Sequence, residues 1–395
     1  MRKKETKVSA REIKTLPDEE LPVYTILVPL YKETELLRQI TASINKLDYP
    51  KDKLDVKLLL EDDDRETIEF ARKLSLDSHF KKVIVPHSIP KTKPKACNLG
   101  LSEAQGEFLV IYDAEDVPES DQLKKAVLAF RKSPDEVICL QAKLNFYNQR
   151  QNWLTRWFTT EYSMWFDLYL PGLGDFDAPI PLGGTSNHFK TDKLKELCGW
   201  DPYNVAEDCD LGIRLHKRGY RTQMLDSTTW EEACSNLKYW IRQRSRWVKG
   251  YIQTYLVNNR HPVALLKKLG IKNYLNFHMI IGGMFFCFLM NPFYWLLTLL
   301  WFLTRWQVLS VFFPPAVFLL GALCLFMGNF VFIYTCAIGA YKRGYYDLVK
   351  YALVIPPYWA LISIGAWKGF IQLITRPFYW EKTRHGFFQE NKRGN

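Results

Sequence analysis

Asp113-Ala114-Glu115-Asp116 follows directly on the apolar run Phe108–Tyr112. Carboxylates one residue apart where a strand ends can share a hard cation. Mg2+ or Mn2+ usually takes one or two of them together with phosphate oxygens of a substrate. Asp113 fits as one ligand, and either Glu115 or Asp116 as the next. A second acidic group, Glu207-Asp208, opens an amphipathic stretch with apolar Leu211, Ile213 and Leu215. Acids at a helix start often only cap it, but a carboxylate facing a hydroxyl also serves as general base. Gln243, Arg246 and Trp247 are spaced i, i+3 and i+4, which puts them on one helical face. An arginine fork grips phosphate and an indole face suits a sugar ring. Lys95, in Pro94–Gly100, stands at a helix start, where the amino end and the lysine together attract anions. Glu61-Asp62-Asp63-Asp64 offers acceptors to a nucleotide base or ribose. Each signal alone is common on protein surfaces; their order along one chain is what carries weight.

Positioning such groups needs a scaffold, and the apolar pattern supplies one. Val23–Val28, Leu54–Leu60, Val83–Val85, Phe108–Tyr112 and Val137–Leu140 read as strands. Helix-like segments Glu33–Lys46, Glu66–Leu76, Lys95–Ala104 and Ser120–Arg131 lie between them. This alternation predicts βαβ units, hence an α/β fold with a mostly parallel sheet. Ligands of such sheets bind beyond the carboxyl ends of the strands. Pro29-Leu30-Tyr31-Lys32-Glu33, Glu61–Asp64 and Asp113–Asp116 all end strands, so they should converge on one crevice. The expected division is a tail at 1–22, a nucleotide-binding half at 23–140 and an acceptor half at 141–260. Interfacial and membrane helices should follow at 261–375, then a basic tail at 376–395.

Residues 277–303 and 306–340 contain no Asp, Glu, Lys or Arg, and 351–367 is a third such stretch. About 20 apolar residues cross a bilayer core, so the first two are long enough. The net charge of +11 is concentrated beside them. From residue 273 onward ten Lys/Arg face three Asp/Glu, among them Lys342, Arg343, Lys350, Arg376, Lys382 and Arg384. That is the charge excess of cytoplasmic membrane flanks, and it argues against nucleic acid as a partner. The first stretch should leave the cytoplasm, with a break at Asn291-Pro292, and 314–338 should return. The segment 351–374 reads as re-entrant or interfacial; the alternative is an extra crossing hidden in 277–303. The eight cysteines have no Cys-x-x-Cys spacing, which points to reduced thiols and neither disulfides nor a zinc site. Met1–Pro22 is charged, without the apolar core of a signal peptide.

Taken in order, these motifs resemble the membrane branch of family-2 glycosyltransferases, which includes cellulose synthase-like, chitin synthase-like and hyaluronan synthase-like enzymes. The resemblance covers residues 23–250 as a GT-A-type catalytic domain and the remainder as membrane helices. It implies transfer of a hexose from a nucleotide diphosphate sugar, UDP-glucose by default, to a growing β-linked glycan at the cytoplasmic face. Transfer of a single sugar to a lipid carrier and a non-catalytic membrane scaffold are the rival readings. The resemblance further implies roles by position. Pro29, Tyr31, Glu33, Glu61, Asp62, Lys95 and Asp113 would bind the nucleotide, and Asp113 with Glu115 or Asp116 would bind Mg2+ or Mn2+. Gly183, Gly184 and Thr185 would line the acceptor side. Asp208 would be the base beside Glu207. Gln243 and Arg246 would lie near the diphosphate, with Trp247 at the acceptor end, in the Gln-x-x-Arg-Trp pattern of processive members. Departures are Glu115 in place of the second metal-motif aspartate, Glu61 at the head of the aspartate pair, and no membrane helix before the catalytic domain. Partner membrane subunits are compatible with this reading.

Overall fold

A computed structural model describes residues 6–304 and 314–381. Its centre is an eight-stranded sheet: β1 Tyr24–Leu30, β2 Leu54–Glu61, β3 Phe80–Val85, β4 Phe108–Ile111, β5 Val117–Pro118, β6 Val137–Phe146, β7 Asn187–Lys190 and β8 Arg221–Glu231. The spatial order is β3-β2-β1-β4-β7-β6-β8-β5. β3, β2, β1 and β4 are mutually parallel. β7 runs antiparallel to both β4 and β6, and β6 pairs in parallel with β8. The sheet is therefore parallel from β3 to β4 and mixed beyond it.

The main helices are α1 Thr34–Asn45, α2 Arg65–Lys73, α3 Lys93–Ser102, α4 Gln122–Lys132, α5 Trp153–Met164, α6 Glu207–Lys217, α7 Leu237–Asn258, α8 Pro262–Phe277, α9 Gly283–Thr304, α10 Pro315–Leu323, α11 Asn329–Lys342 and α12 Pro356–Thr375. Successive β-strand side chains point to opposite faces, and the core divides accordingly. Ile26 and Val28 pack with Leu37, Ile40, Val127 and Phe130 on the face covered by α1 and α4. Leu27 joins Leu59, Leu109, Leu101, Leu211 and Leu215 on the face covered by α3 and α6. Strands buried on both sides explain why β1, β2 and β4 read as continuous apolar runs.

Two described helices are long and apolar enough to cross a membrane, Pro262–Thr304 and Pro315–Lys342. The first joins α8 to α9 through a π-helical turn at His278–Gly282. The expected break at Asn291-Pro292 does not occur: α9 runs on through Pro292. One missing N–H bond among so many is tolerated in a long helix, and the irregularity sits a few turns earlier, at the π turn. A third candidate is the bent pair Tyr346–Leu353 and Pro356–Thr375, whose halves meet at 69°. Both of its ends touch the sheet-bearing part of the chain. Arg150 pairs with Asp347 at 2.8 Å, and Lys249 donates to the Tyr379 carbonyl at 2.7 Å. α12 lies parallel to α7, with Tyr358 beside Trp240, Gly365 beside Arg244 and Gly369 beside Ser245 and Lys249.

That last approach leaves no room for a side chain. A Cβ on Gly369 would stand 2.5 Å from the Ser245 carbonyl oxygen, which is backbone and cannot swing away. Gly369→Val is expected to lower stability by about 1–3 kcal/mol through overpacking. The check is a thermal unfolding midpoint measured in detergent beside Gly321→Val, whose Cβ would meet nothing within 4 Å.

The tail expected at 1–22 is partly structured. Thr6 bridges to Leu225, and Ala10–Thr15 forms a helix opened by a Ser9 capping box. Of the basic tail expected at 376–395, residues 382–395 lie outside the described residues. The expected segment 306–340 likewise includes 306–313, outside them.

Candidate active site

The carboxyl ends of β1, β2 and β4 open into a cavity of ≈ 400 Å³ that extends to α9, α11 and α12. Local rules set its edges. After β1 the chain turns through Lys32, whose backbone N–H donates to Asp64 at 2.5 Å. Asp64 also accepts from Thr67 N–H and so caps α2. One carboxylate thereby ties the end of β1 to the end of β2. Beyond β4, Asp116 accepts the Asp113 backbone N–H at 2.8 Å and bonds the Thr185 hydroxyl. This closes the acidic turn on itself, with Asp113 and Glu115 lining the cavity and Asp116 behind them. Of Glu115 and Asp116, between which the sequence left the choice open, Glu115 lines the space and Asp116 does not.

Pro29, Tyr31, Glu33, Glu61, Gly183, Gly184, Thr185, Glu207, Asp208, Gln243, Arg246 and Trp247 also line this cavity. Segments from Pro29 to Trp247, distant in sequence, therefore meet around one volume. Asp62 does not line it: it is exposed and accepts the His87 backbone N–H at 2.8 Å. Lys95 does not line it either, because it turns to Glu61 at 3.3 Å and to the Pro86 carbonyl at 2.8 Å. The lysine in the cavity is Lys93, the first residue of α3, which pairs with Asp113 and donates to the Gly184 carbonyl at 2.6 Å. Pro94 in the first turn marks that helix start, a signal that points to Lys93 over Lys95. Gly184 leaves space that Asp208 uses: its Oδ2 lies 3.5 Å from where a Cβ would be.

Three further contributors carry no motif of their own. Glu231 ends β8 and lines the cavity, as do Glu161 of α5 and Trp380 beyond α12. Trp380 covers Arg246, whose guanidinium carbon stands 4.6 Å from the ring centroid. Its segment is held by Lys249, which donates to the Arg376 and Tyr379 carbonyls, and by Gln253, which donates to Pro377. Met284, Phe288, Phe332 and Ile362 form the apolar far end of the cavity.

Residues 22–250 match the model of the glycosyltransferase-like family 2. The chain belongs to this family. A relative in Bacillus subtilis strain 168, the probable glycosyltransferase YdaM, is 28% identical over 234 residues, 58% of this chain and 56% of that protein. The chain thus spans about half the length of that curated relative. Among solved structures, the mannosyltransferase PcManGT from Pyrobaculum calidifontis, in complex with GDP-Man and Mn2+, superimposes with a TM-score of 0.54 at 18% identity, over 92% of each chain. That likeness is one of fold.

The electrostatics of this family-2 site are those of crowded acids. Burial, reinforced by Asp116, Glu115 and Asp113, pushes the Glu231 carboxyl well above its usual range. Burial and the neighbouring Asp113 and Glu115 do the same to Asp116. Asp116 Oδ1 and Glu231 Oε1 are buried and lack a hydrogen-bond partner among the described residues. Of these two, the Glu231 oxygen belongs to the cavity that Asp113 and Glu115 line, and an orphaned carboxylate oxygen there is what a hard cation would satisfy, so the donor set fits Mg2+ or Mn2+. Lys93 keeps its charge more tightly than a free lysine: burial opposes the charge, but Asp113 and Glu207 outweigh it.

Glu207 and Asp208 also titrate high. Burial is the first cause for both, and for Glu207 the charge on Asp208 adds to it. A base works only when ionised. A raised pKa therefore means that activity is present above it and is lost as pH falls through it. The expected kcat/KM profile has an acid limb above the ordinary aspartate value of about 3.9. Initial rates at low donor concentration over about pH 4 to 9 test this; a limb at or below about 4 would contradict the buried pair.

Proposed function

We propose that this protein is an inverting transferase of the Gln-x-x-Arg-Trp branch. It moves a hexose from a nucleoside diphosphate sugar, UDP-glucose in the first instance, to the end of a growing β-linked glycan at the cytoplasmic membrane face. The observation that carries the reading is the single cavity bounded by Asp113 and Glu115, by Glu207 and Asp208, and by Gln243, Arg246 and Trp247.

In this mechanism Asp208 removes the proton from the acceptor hydroxyl as the oxygen attacks the anomeric carbon. The diphosphate leaves from the opposite side, so an α-linked donor yields a β-linkage. Arg246 and Lys93 supply fixed positive charge where the leaving group gathers negative charge. A divalent cation at Asp113 and Glu115 would neutralise that diphosphate further. Tyr31, Glu33 and Glu61 bound the nucleoside side. Trp247 offers its face to the acceptor sugar, and the Gly183-Gly184-Thr185 loop lets acceptor and Asp208 approach closely. Holding both reactants in line supplies much of the acceleration.

For placement, Lys342 and Arg343 both engage Asp167 of the catalytic half. With α8–α9 leaving that half and α10–α11 returning to it, two crossings follow. The bent pair, with both ends on the catalytic half, reads as interfacial. The resulting division is a catalytic domain at 23–260 and membrane-associated helices at 261–375.

A second acceptor reading, one sugar placed on a lipid carrier, draws support from the apolar far end at Met284, Phe288, Phe332 and Ile362. The deciding experiment incubates membranes containing the protein with a panel of labelled nucleotide sugars, with and without Mn2+. Nucleoside diphosphate release identifies the donor, and sizing of the labelled product separates polymer from single addition. If no sugar nucleotide is turned over, the enzyme reading fails.

A further inference from the structure

Arg244 stands inside the Gln243–Trp247 segment at a position to which the mechanism assigns no task. It is nevertheless the most heavily engaged cation of α7. Its guanidinium donates to Glu161 Oε1 at 2.9 Å and also to Oε2, a fork-to-fork pair. It donates again to the Tyr358 hydroxyl at 2.6 Å, and that hydroxyl donates to Glu161 Oε2 at 2.6 Å. Four rings enclose the charge: Phe158 at 4.7 Å, Trp247 at 4.9 Å, Trp240 at 5.0 Å and Tyr358 at 5.5 Å. The same arginine thus lies against the indole that offers its face to the acceptor. Trp247 is flanked further by Tyr162, near-parallel at 25° and 6.4 Å, and by Phe158 at 6.1 Å.

A buried, bidentate, ring-enclosed ion pair has one geometry, and breaking it leaves a charge unpaired. Such a group restricts whatever ring it touches. Glu161 comes from α5, Arg244 from α7 and Tyr358 from α12, so three helices must be in register for the cluster to close.

We propose that Glu161, Arg244 and Tyr358 are positioning residues for the acceptor. They hold the Trp247 indole at a fixed angle and so set the acceptor hydroxyl against Asp208. The α12 helix is then part of the acceptor site as well as part of the membrane region. This rests on the functional reading above, in which Trp247 faces the acceptor. The donor side, at Asp113, Glu115 and Lys93, lies outside the cluster. Loosening the cluster should therefore spoil transfer while leaving donor turnover to water intact.

The test uses the full-length protein in membranes with labelled UDP-glucose, or the sugar nucleotide the wild type turns over best. It reads two quantities: label incorporated into membrane-bound product, and nucleoside diphosphate released. Tyr358→Phe removes one hydroxyl while keeping the ring and the ion pair, so it preserves the fold. The expected result is a roughly tenfold fall in label incorporated, while the donor KM and the nucleoside diphosphate released in excess of incorporation, which reports donor turnover to water, stay unchanged. Trp247→Phe should lower incorporation likewise, and the double variant should be no worse than Trp247→Phe alone, because the hydroxyl acts through the indole. Unchanged incorporation, an equal fall in incorporation and in that excess release, or additive effects in the double variant, overturn the proposal and leave the cluster a packing element. A wild type that releases no nucleoside diphosphate overturns the functional reading instead, and this inference with it.

Discussion

Asp208→Asn is expected to lower kcat for sugar transfer by about 10²- to 10⁴-fold, the usual worth of a positioned base. Asparagine has nearly the same shape and keeps an oxygen for the Cys209 backbone N–H, which Asp208 now accepts at 2.7 Å. Packing at the start of α6 should survive. What disappears is the acceptor for a proton, and with it one negative charge near Arg246 and Lys93. Donor affinity should hold or rise slightly, since the diphosphate no longer shares those cations with a carboxylate. The comparison variant is Glu207→Gln. Glu207 is pushed up to about 8, first by burial and then by the charge on Asp208, so it is already protonated where Asp208 ionises, and Glu207→Gln should leave the acid limb of the rate profile and much of kcat in place. Detergent-solubilised protein with an unchanged thermal midpoint would establish that each variant is folded. Wild-type turnover by Asp208→Asn together with loss in Glu207→Gln would exchange the two roles.

The parallel half of the sheet was legible because its strands are buried on both faces and so are written almost entirely in apolar residues. β8 was not. Arg221–Glu231 reads as Arg-Thr-Gln-Met-Leu-Asp-Ser-Thr-Thr-Trp-Glu, yet much of it is interior. Its hydroxyls are satisfied there by Gln122 of α4, by Ser186 and by Glu119. Gln122 donates to both Ser227 and Thr229, and Ser186 bonds Thr229 at 2.6 Å. A polar strand that is satisfied inside has no hydrophobic period to detect. Glu231, at its end, was hidden for the same reason. β7 was hidden differently: four residues are too few to show a pattern, and the strand earns its place only by joining β4 to β6 in antiparallel. At the site, most motif residues with a local spacing signal line one cavity, while Asp62, Lys95 and Asp116 do not. Those recruited by tertiary packing did not show. Trp380 reaches Arg246 only because α12 lies along α7, a relation that no local pattern encodes. Glu161 meets Arg244 across 83 residues of sequence.

Lys93→Met should cost about 10²- to 10³-fold in kcat/KM, the range seen when one fixed charge stabilising a transition state is removed. Methionine keeps most of the side-chain volume, so the loss would be electrostatic. Lys93 links the Asp113 carboxylate to the Gly184 carbonyl and lies within range of Glu207. It thereby joins the metal-facing turn, the acceptor loop and the basic carboxylate pair through one ammonium. Removing it leaves Asp113 without its partner and adds uncompensated negative charge beside Glu207. Both effects oppose an incoming diphosphate, so donor KM should rise as kcat falls. Lys95→Met, two residues on, is the discriminating control. Its partners are Glu61, at the cavity edge, and the Pro86 carbonyl, outside it. A partly buried pair at the edge of the site should matter less, with a change within about tenfold and confined to KM, since Lys95 reaches the cavity only through Glu61. Steady-state donor titrations of both variants decide the matter. A severe loss in Lys95→Met with a mild one in Lys93→Met would mean that α3 presents its third residue, not its first, to the bound diphosphate.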